Sequence, residues 1–464
     1  MTTLHNKIFG ILGLGISNKA VLEFFINHNH KFIIWDDTQK SLTALAIEIK
    51  KDYNFDIVPF IKTPESLEWS NIDYLVMSPG IPLTHPEPHK IASIARQNGI
   101  DIICDIELFY LFYPNNKYIG ITGTNGKSTI TALTYHILNS YTHNTLIAGN
   151  IGKPIFYLED PEDKIIVLEI SSYQIDLLHK TRFFVSSLSN VTPDHIDRHG
   201  SFENYTKIKF KLISELTTGT AVINIDSDLT ETLYRKLIKT KHHTIPTSTN
   251  IILEKGISLI NNTITDNIHH QTLDLATNKS LVGQHNAQNI GIAFAIASSV
   301  IPITPEDLNK SIASFQGLKH RMQFINHYKN MVFINDSKGT NAISTLYALD
   351  GCKNIFWILG GLPKADGIDP LIPFFKNVKH AFAIGQAKEE FAKILKIHNV
   401  PCTISGDLKH AFKDATDQAE QQKEEITILL SPACASFDQW KNFEERGDAF
   451  IKLVEDFIKT KKDA

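Results

Sequence analysis

Short apolar runs alternate with longer stretches in which apolar residues recur at helical spacing. That alternation predicts strands followed by helices, the pattern of α/β structure built on parallel sheets. Three of the apolar runs end in glycine: residues 7–15 (KIFGILGLG), 118–126 (YIGITGTNG) and 355–361 (IFWILGG). Ligands of open parallel sheets gather at the carboxyl ends of strands, so each transition is expected to open a separate ligand-facing unit. Between the first two, FYPNNK has the Pro and paired Asn of a connector, and FQGLKHR plays the same part before the third. Boundaries are therefore expected near residues 114 and 317. Residues 242–278, rich in Thr, Asn and His, read as short strands and loops without chemistry of their own.

The length of 464 residues suggests roughly three domains at about 150 residues each, and each is large enough to bury its own core. Apolar residues at 42% and charged residues at 21% fit a soluble enzyme and exclude a disordered chain. Lys plus Arg total 46 against 50 for Asp plus Glu, a net charge of −4, so the global positive field that nucleic-acid binding usually needs is missing. A bound anion must be held locally. No apolar run approaches the roughly 20 residues of a membrane span, and the opening MTTLHNKIFG has no signal-peptide pattern. Cys104, Cys352, Cys402 and Cys434 form no CxxC pair, which argues against a disulfide framework or a structural zinc. The expectation is a cytoplasmic protein that engages neither nucleic acid nor membrane and acts as a monomer.

Gly123-Thr124-Asn125-Gly126-Lys127-Ser128-Thr129 follows an apolar strand and precedes a helical pattern over residues 130–138. Glycines let backbone N–H groups turn inward around phosphate oxygens, and the helix start adds a positive end. Lys127 can reach the β- and γ-phosphates, and Ser128 can ligate Mg²⁺. Ile121 stands where the strict GxxxxGK[ST] pattern has glycine, so this is a shorter variant of a nucleoside triphosphate loop. The buried-strand run at 165–168 ends in Glu169, an acid able to meet the metal directly or through water. The next run, 183–188, leads to Asp194 and His195 in NVTPDHIDRHGSFENYTKIK, so neighbouring strand ends should present Glu169 and His195 to one cleft.

Gly13-Leu14-Gly15-Ile16-Ser17-Asn18 also follows a strand, with Asp36 and Asp37 about 20 residues later, as in a dinucleotide fingerprint whose third glycine is replaced by Asn18. Alone, that segment suggests a nicotinamide dinucleotide; beside a true phosphate loop, a pyrophosphate-bearing substrate explains both. Residues 78–81 (SPGI) form a turn at a strand end, either near the same ligand or a plain turn. Farther on, FINDSKGTN places Asp336, Lys338 and Thr340 after a strand. Lys364 and Asp366 follow IFWILGG, and LLSPACASFDQWKNF carries Ser436. Lysines and hydroxyls at strand ends suit a small molecule bearing carboxylates, while Asp336 could hold an amine or contact the nucleotide. Cys434 lacks a nearby partner base that would make it a nucleophile.

Taken in order, GLGIS, SPGIPLTHP, GTNGKST, AGNIG, EISSYQ, DHIDRHGSFENYTKIK, GQHNAQN, GLKHRMQ, NDSKGTN, GGLPKADG and SPACASFDQWKNFEERG resemble the Mur ligase family over nearly the whole chain. SPACASFDQWKNF is similar to the D-glutamate-adding branch. The resemblance implies three α/β domains. They are a Rossmann-like domain at 1–113 for a UDP-substrate, a P-loop ATPase-like central domain with a mainly parallel sheet at 114–316, and a Rossmann-like domain at 317–464 for D-glutamate. It implies that ATP, with two Mg²⁺ sites, drives the joining of D-glutamate to UDP-N-acetylmuramoyl-L-alanine through an acyl phosphate.

On the same resemblance Gly123 to Thr129 hold the triphosphate, Ser128 and Glu169 share one Mg²⁺, and His195 matches the ligand of the second. Lys209 aligns with a carbamylated lysine that bridges or orients metal, with Lys207 and Lys211 as competitors in register. Asn286, Asn289, Arg321 and Asp336 match nucleotide-contacting positions. Ile16, Ser17, Asp36, Asp37 and Thr38 correspond to the uridine-diphosphate region, and Gly80, Asn150, Ser171 and His195 to the muramoyl-alanine path. Thr340, Lys364, Ser436 and Phe443 match the D-glutamate pocket, with Lys338 near the reacting groups. Lys127, Glu169, His195, Lys209 and Lys338 form the expected catalytic set. Gln323 and Gly339 depart from the family's common Glu and Ala. Two rival readings are another amide ligase of the family and a regulator that binds ATP without releasing phosphate.

Overall fold

The computed structural model describes residues 4–63, 67–240, 242–278, 280–281, 283–363 and 367–463. Their strands form three mostly parallel sheets. The first contains β1 (Ile8–Leu12), β2 (Lys31–Trp35), β3 (Tyr74–Met77) and β4 (Asp101–Ile103), all parallel, in the order β2-β1-β3-β4.

The second sheet begins with β5 (Lys117–Thr122), β6 (Thr145–Gly149), β7 (Ile165–Glu169), β8 (Phe183–Leu188) and β9 (Thr217–Asn224). β10 (His243–Ser248), β11 (Ile257–Ile260), β12 (Thr263–Asp266) and β13 (Gln271–Asp274) complete it, so the Thr-, Asn- and His-rich stretch does form short strands. The order is β13-β12-β11-β10-β9-β8-β5-β7-β6, antiparallel only where β11 meets β12 and β12 meets β13. The third sheet holds β14 (Gln323–Tyr328), β15 (Met331–Asn335), β16 (Ile355–Gly360), β17 (Val378–Ile384), β18 (Cys402–Gly406) and β19 (Ile426–Leu430). Its order is β14-β15-β19-β16-β17-β18, with only β14 antiparallel.

Every residue of β7 and of β16 is buried, which is why both read as unbroken apolar runs rather than as alternating strands. Polar residues fix where several helices begin. Ser171 Oγ accepts from the Gln174 N–H while the Gln174 side chain accepts from the Ser171 N–H; Ser201 caps Phe202–Ser214, and Asn341 caps Ala342–Gly351. Among the described residues, no helix is long and apolar enough to cross a membrane.

The chain divides into two compact units, residues 1–276 with 284–314 and residues 277–283 with 315–464. The expected boundary near residue 114 lies inside the first unit, between its two sheets. An aromatic seam joins them: the ring of Phe24 lies 5.1 Å from Phe112 and 5.0 Å from Phe156, and Phe109 lies 5.2 Å from Phe156. The buried Glu107 carboxylate adds a polar tie, accepting from Lys180 N (2.6 Å), Thr181 N (3.0 Å) and Thr181 Oγ1 (2.5 Å).

Strand order decides where chemistry can gather. β5 lies between β7 and β8, and the chain leaves it for β6 at the sheet's edge, so the carboxyl ends of β5, β7 and β8 frame a crevice at a topological switch point. In the second unit β15, β19 and β16 are likewise neighbours.

Candidate active site

The crevice of the second sheet opens on residues 123–126, followed by the helix Lys127–Thr142. Gly126 adopts φ 83°, and a Cβ there would press on Asn289 Oδ1, so the position requires glycine. Asn289 Nδ2 donates to Asn286 Oδ1 at 3.0 Å, which places this pair of expected nucleotide residues against the loop. Lys127 Nζ folds back to donate to Gly123 O at 3.0 Å and Thr124 O at 2.8 Å, spanning the loop that precedes it. Ser128 and Thr129 are buried at the helix start.

Two residues that sequence reasoning missed brace this loop. Asn190 Oδ1 accepts from Asn125 N at 2.9 Å, while Ser189 Oγ (2.9 Å) and Asn190 Nδ2 (3.1 Å) donate to Asn125 O. The available signal was a polar pair directly after the buried strand β8. Thr124 Oγ1 meets the Tyr205 hydroxyl at 3.1 Å.

Glu169 ends β7, only 5% exposed, and its Oε2 is buried with no hydrogen-bond partner among the described residues. An unsatisfied anionic oxygen beside a phosphate loop fits a hard divalent cation. Lys209, on the helix Phe202–Ser214, is 2% exposed; Nζ donates to Gly123 O at 2.7 Å and lies 4.8 Å from the centre of the Tyr205 ring. Burial, and then the Lys127 ammonium, drive its pKa well below the ordinary lysine value against the pull of Asp194 and Glu169. Lys207 is exposed, and Lys211 Nζ donates to Leu178 O at 2.7 Å, so of the three lysines only Lys209 meets the loop.

His195 sits at φ 52°, directly before the helix Ile196–His199, and its Nε2 lies 3.4 Å from Asp194 Oδ2. Desolvation, with Lys209 and Lys127 assisting, holds its imidazole below the usual range while Asp194 pulls it upward. Among the described residues no three His, Cys, Asp or Glu side chains form a metal cage. A magnesium ion here would draw most of its oxygen ligands from phosphate and water, as that ion commonly does.

The first sheet gathers its expected residues at adjacent strand ends. Asp36 Oδ2 accepts from Leu14 N at 2.9 Å and Oδ1 from Thr38 N at 2.8 Å, so this carboxylate shapes the Gly-Leu-Gly turn. Asp37 pairs instead with Trp35 Nε1 (3.1 Å) and His89 Nε2 (2.9 Å). Asn18, where a dinucleotide fingerprint has glycine, is fully buried and donates Nδ2 to Leu12 O at 3.0 Å and Gly13 O at 2.9 Å. Its amide ties the helix Ile16–Asn27 to the end of β1. Ile16 is 77% exposed, Ser17 is half-buried, and a Cβ on Gly80 would meet nothing within 4 Å. Asn150 N donates to Glu169 O at 3.0 Å, placing Asn150 and Ser171 at the carboxyl ends of β6 and β7.

In the second unit, buried Asp336 follows β15. Its Oδ2 accepts from Ser431 Oγ at 2.6 Å and its Oδ1 from Met322 N at 3.2 Å. Burial pushes the carboxyl up to about 6, opposed by those donors and by Arg321 and Arg446. A Cβ at Gly339 would lie 2.6 Å from Asp336 Oδ2 and 2.7 Å from Ser431 Oγ, which explains the missing alanine. Gln323 Oε1 accepts from His320 N at 2.8 Å, so this departure also has a structural use. Lys338 Nζ lies 5.3 Å from the centre of the Phe443 ring, Thr340 N donates to Lys338 O at 2.8 Å, and Ser436 is buried after β19. Lys364 and Asp366 lie outside the described residues. Sequence reasoning missed Arg446, whose buried guanidinium donates to Ser337 O (2.9 Å), Ser337 Oγ (3.0 Å) and Cys434 O (3.2 Å), joining the loops after β15 and β19.

Residues 121–297 match the Mur ligase middle domain. The chain is 40% identical to the UDP-N-acetylmuramoylalanine–D-glutamate ligase of Rickettsia bellii, covering 97% of this chain and 98% of that one. It is 38% identical to the ligase of that name from Rhizobium johnstonii, over 98% and 96% respectively. Among solved structures, a MurF from Acinetobacter baumannii matches with TM-score 0.56 at 16% identity over 86% of this chain and 88% of that one. A pseudomurein peptide ligase type C from Methanothermus fervidus matches with TM-score 0.55 at 15% identity over 97% and 100%. Those two likenesses concern the fold; the near-complete coverage at 40% identity settles descent, and the chain belongs to the Mur ligase family.

Proposed function

We propose that this protein uses ATP to join the amine of D-glutamate to the alanine carboxylate of UDP-N-acetylmuramoyl-L-alanine. A carboxylate is a poor electrophile, so one of its oxygens first attacks the γ-phosphorus and ADP leaves. The amine, having lost a proton, then attacks the acyl carbon, and the tetrahedral intermediate expels phosphate as the amide forms. The residues at the ends of β5, β7 and β8 suit the first step. Lys127 and the loop Gly123–Thr129 would cradle the triphosphate, with Asn286 and Asn289 beside it and Arg321 and Asp336 as further nucleotide contacts.

Ser128, Glu169, His195 and Lys209 would hold two Mg²⁺, whose chemistry there is to neutralise charge on the transferring phosphoryl group. The observation that carries the reading is the buried Lys209 amine against Gly123 O. A neutral amine has the lone pair that attack on CO₂ requires, and the carbamate so formed would place an anion beside Glu169. In the first sheet Ile16, Ser17, Asp36, Asp37 and Thr38 would receive the uridine diphosphate, with Gly80, Asn150 and Ser171 along the muramoyl-alanine path. Thr340, Lys364, Ser436 and Phe443 would bind D-glutamate, with Lys338 near the reacting groups. The three expected segments, 1–113, 114–316 and 317–464, would then carry UDP-substrate, ATP and amino acid. The protein would work as a cytoplasmic monomer on small molecules.

A panel of amino acids offered with ATP, Mg²⁺ and the UDP-substrate tests this. Phosphate release is expected with D-glutamate and close to background with L-alanine, L-lysine or meso-diaminopimelate. Preference for another amino acid would make it a different amide ligase, and ATP binding without phosphate release would make it a regulator.

A further inference from the structure

Arg198 follows His195 by three residues, in the helix Ile196–His199. Its guanidinium reaches to the loop after β3. Nη2 donates to Pro79 O at 3.1 Å and Ile81 O at 2.8 Å, and Nη1 to His85 O at 3.5 Å. The same group lies 4.8 Å from the centre of the Tyr173 ring. Tyr173 in turn stands 5.1 Å from the His195 ring and 5.5 Å from the His199 ring. Gly200 adopts φ 76°, and a Cβ there would lie 2.5 Å from His85 Nε2, so the two segments pack with no space for a side chain between them.

A planar guanidinium can direct several donors at fixed angles and stack on a ring at the same time, whereas an ammonium is a point charge without a face. Three carbonyls of one loop and one ring of another element therefore define a clamp that only arginine completes. We infer that Arg198 is a positioning residue that ties residues 79–85 to the segment bearing His195, and so sets how the muramoyl part of the UDP-linked substrate lies relative to the metal-bearing segment. This rests on the proposed function, in which Gly80 lies along the muramoyl path and His195 helps to hold Mg²⁺ at the transferring phosphoryl group.

The test compares the parent protein with Arg198→Met and Arg198→Lys, measuring KM for each substrate, the thermal midpoint, and hydrogen exchange across residues 78–89. KM for UDP-N-acetylmuramoyl-L-alanine is expected to rise about tenfold or more in Arg198→Met and less in Arg198→Lys, while KM for ATP stays within about twofold. Exchange across 78–89 is expected to quicken in both variants without a matching change in the helix Lys127–Thr142. A residue that merely supports the fold would move all KM values and the midpoint together. That pattern, or an unchanged KM for the UDP-linked substrate, would overturn the inference. If the parent protein fails to turn over these substrates, the proposed function falls, and exchange across 78–89 decides the clamp: unaltered protection in both variants removes it.

Discussion

Lys209→Met should fold at least as well as the parent protein yet lose turnover by about a thousandfold, some 4 kcal/mol of transition-state stabilisation. The two halves have one cause. A lysine that is 2% exposed and faces a second ammonium, that of Lys127, must either lose its proton or carry an unfavourable buried charge. Methionine of similar length fills the space without that cost, so stability is kept. What it cannot supply is an amine to capture CO₂, and hence the anion proposed beside Glu169. The smaller Lys209→Ala should be equally inactive but regain some turnover when acetate or another short-chain carboxylic acid supplies the missing anion in the vacated space. ADP release with and without added acetate, alongside calorimetric midpoints, provides the check. Full activity in either variant would remove Lys209 from the chemistry.

Glu169→Gln is expected to cost turnover about a hundredfold to a thousandfold, and to separate metal binding from folding. In the parent, Oε2 is buried and, among the described residues, unpartnered, so the carboxylate is a local liability until a cation arrives. Neutralising it should leave the metal-free midpoint unchanged or raise it. The additional stabilisation that Mg²⁺ gives the ATP-bound parent should shrink or vanish in the variant, because that increment measures binding to the folded state. Thermal shifts across a Mg²⁺ titration at saturating ATP read this directly. A variant with the parent's Mg²⁺-dependent shift and turnover would show that the orphaned oxygen has no cation to meet.

What could be read from the chain was largely what lies within one strand-to-loop transition. The phosphate loop, Glu169 at a strand tip and the lysines and hydroxyls after β15 and β19 each sit next to the apolar run that positions them. Features that depend on distant segments meeting were not legible. Asn190 braces Asn125 across 65 residues, and Arg446 reaches Ser337 across 109, with no local spacing to announce either. Asn18 looked like a defect in a glycine fingerprint because the pattern describes close helix packing and not the alternative, an amide that bonds the strand end. Asp36 and Asp37 were indistinguishable as adjacent acids; the fold sends one to the backbone N–H groups of Leu14 and Thr38 and the other to Trp35 and His89. Arg198 was hidden for the same reason, since its partners lie in a segment more than a hundred residues earlier.

The proposed chemistry stands on transfer of the γ-phosphoryl group to the alanine carboxylate, and isotope transfer reads that event itself. UDP-N-acetylmuramoyl-L-alanine labelled with ¹⁸O in its carboxylate would be turned over with unlabelled ATP and D-glutamate, and the released phosphate examined by mass spectrometry. One ¹⁸O is expected in the phosphate for each amide formed, because the oxygen that attacks phosphorus departs with it. Amide formation accompanied by unlabelled phosphate would mean that no acyl phosphate is made, and the roles given to Lys127, Glu169 and Lys209 would be wrong.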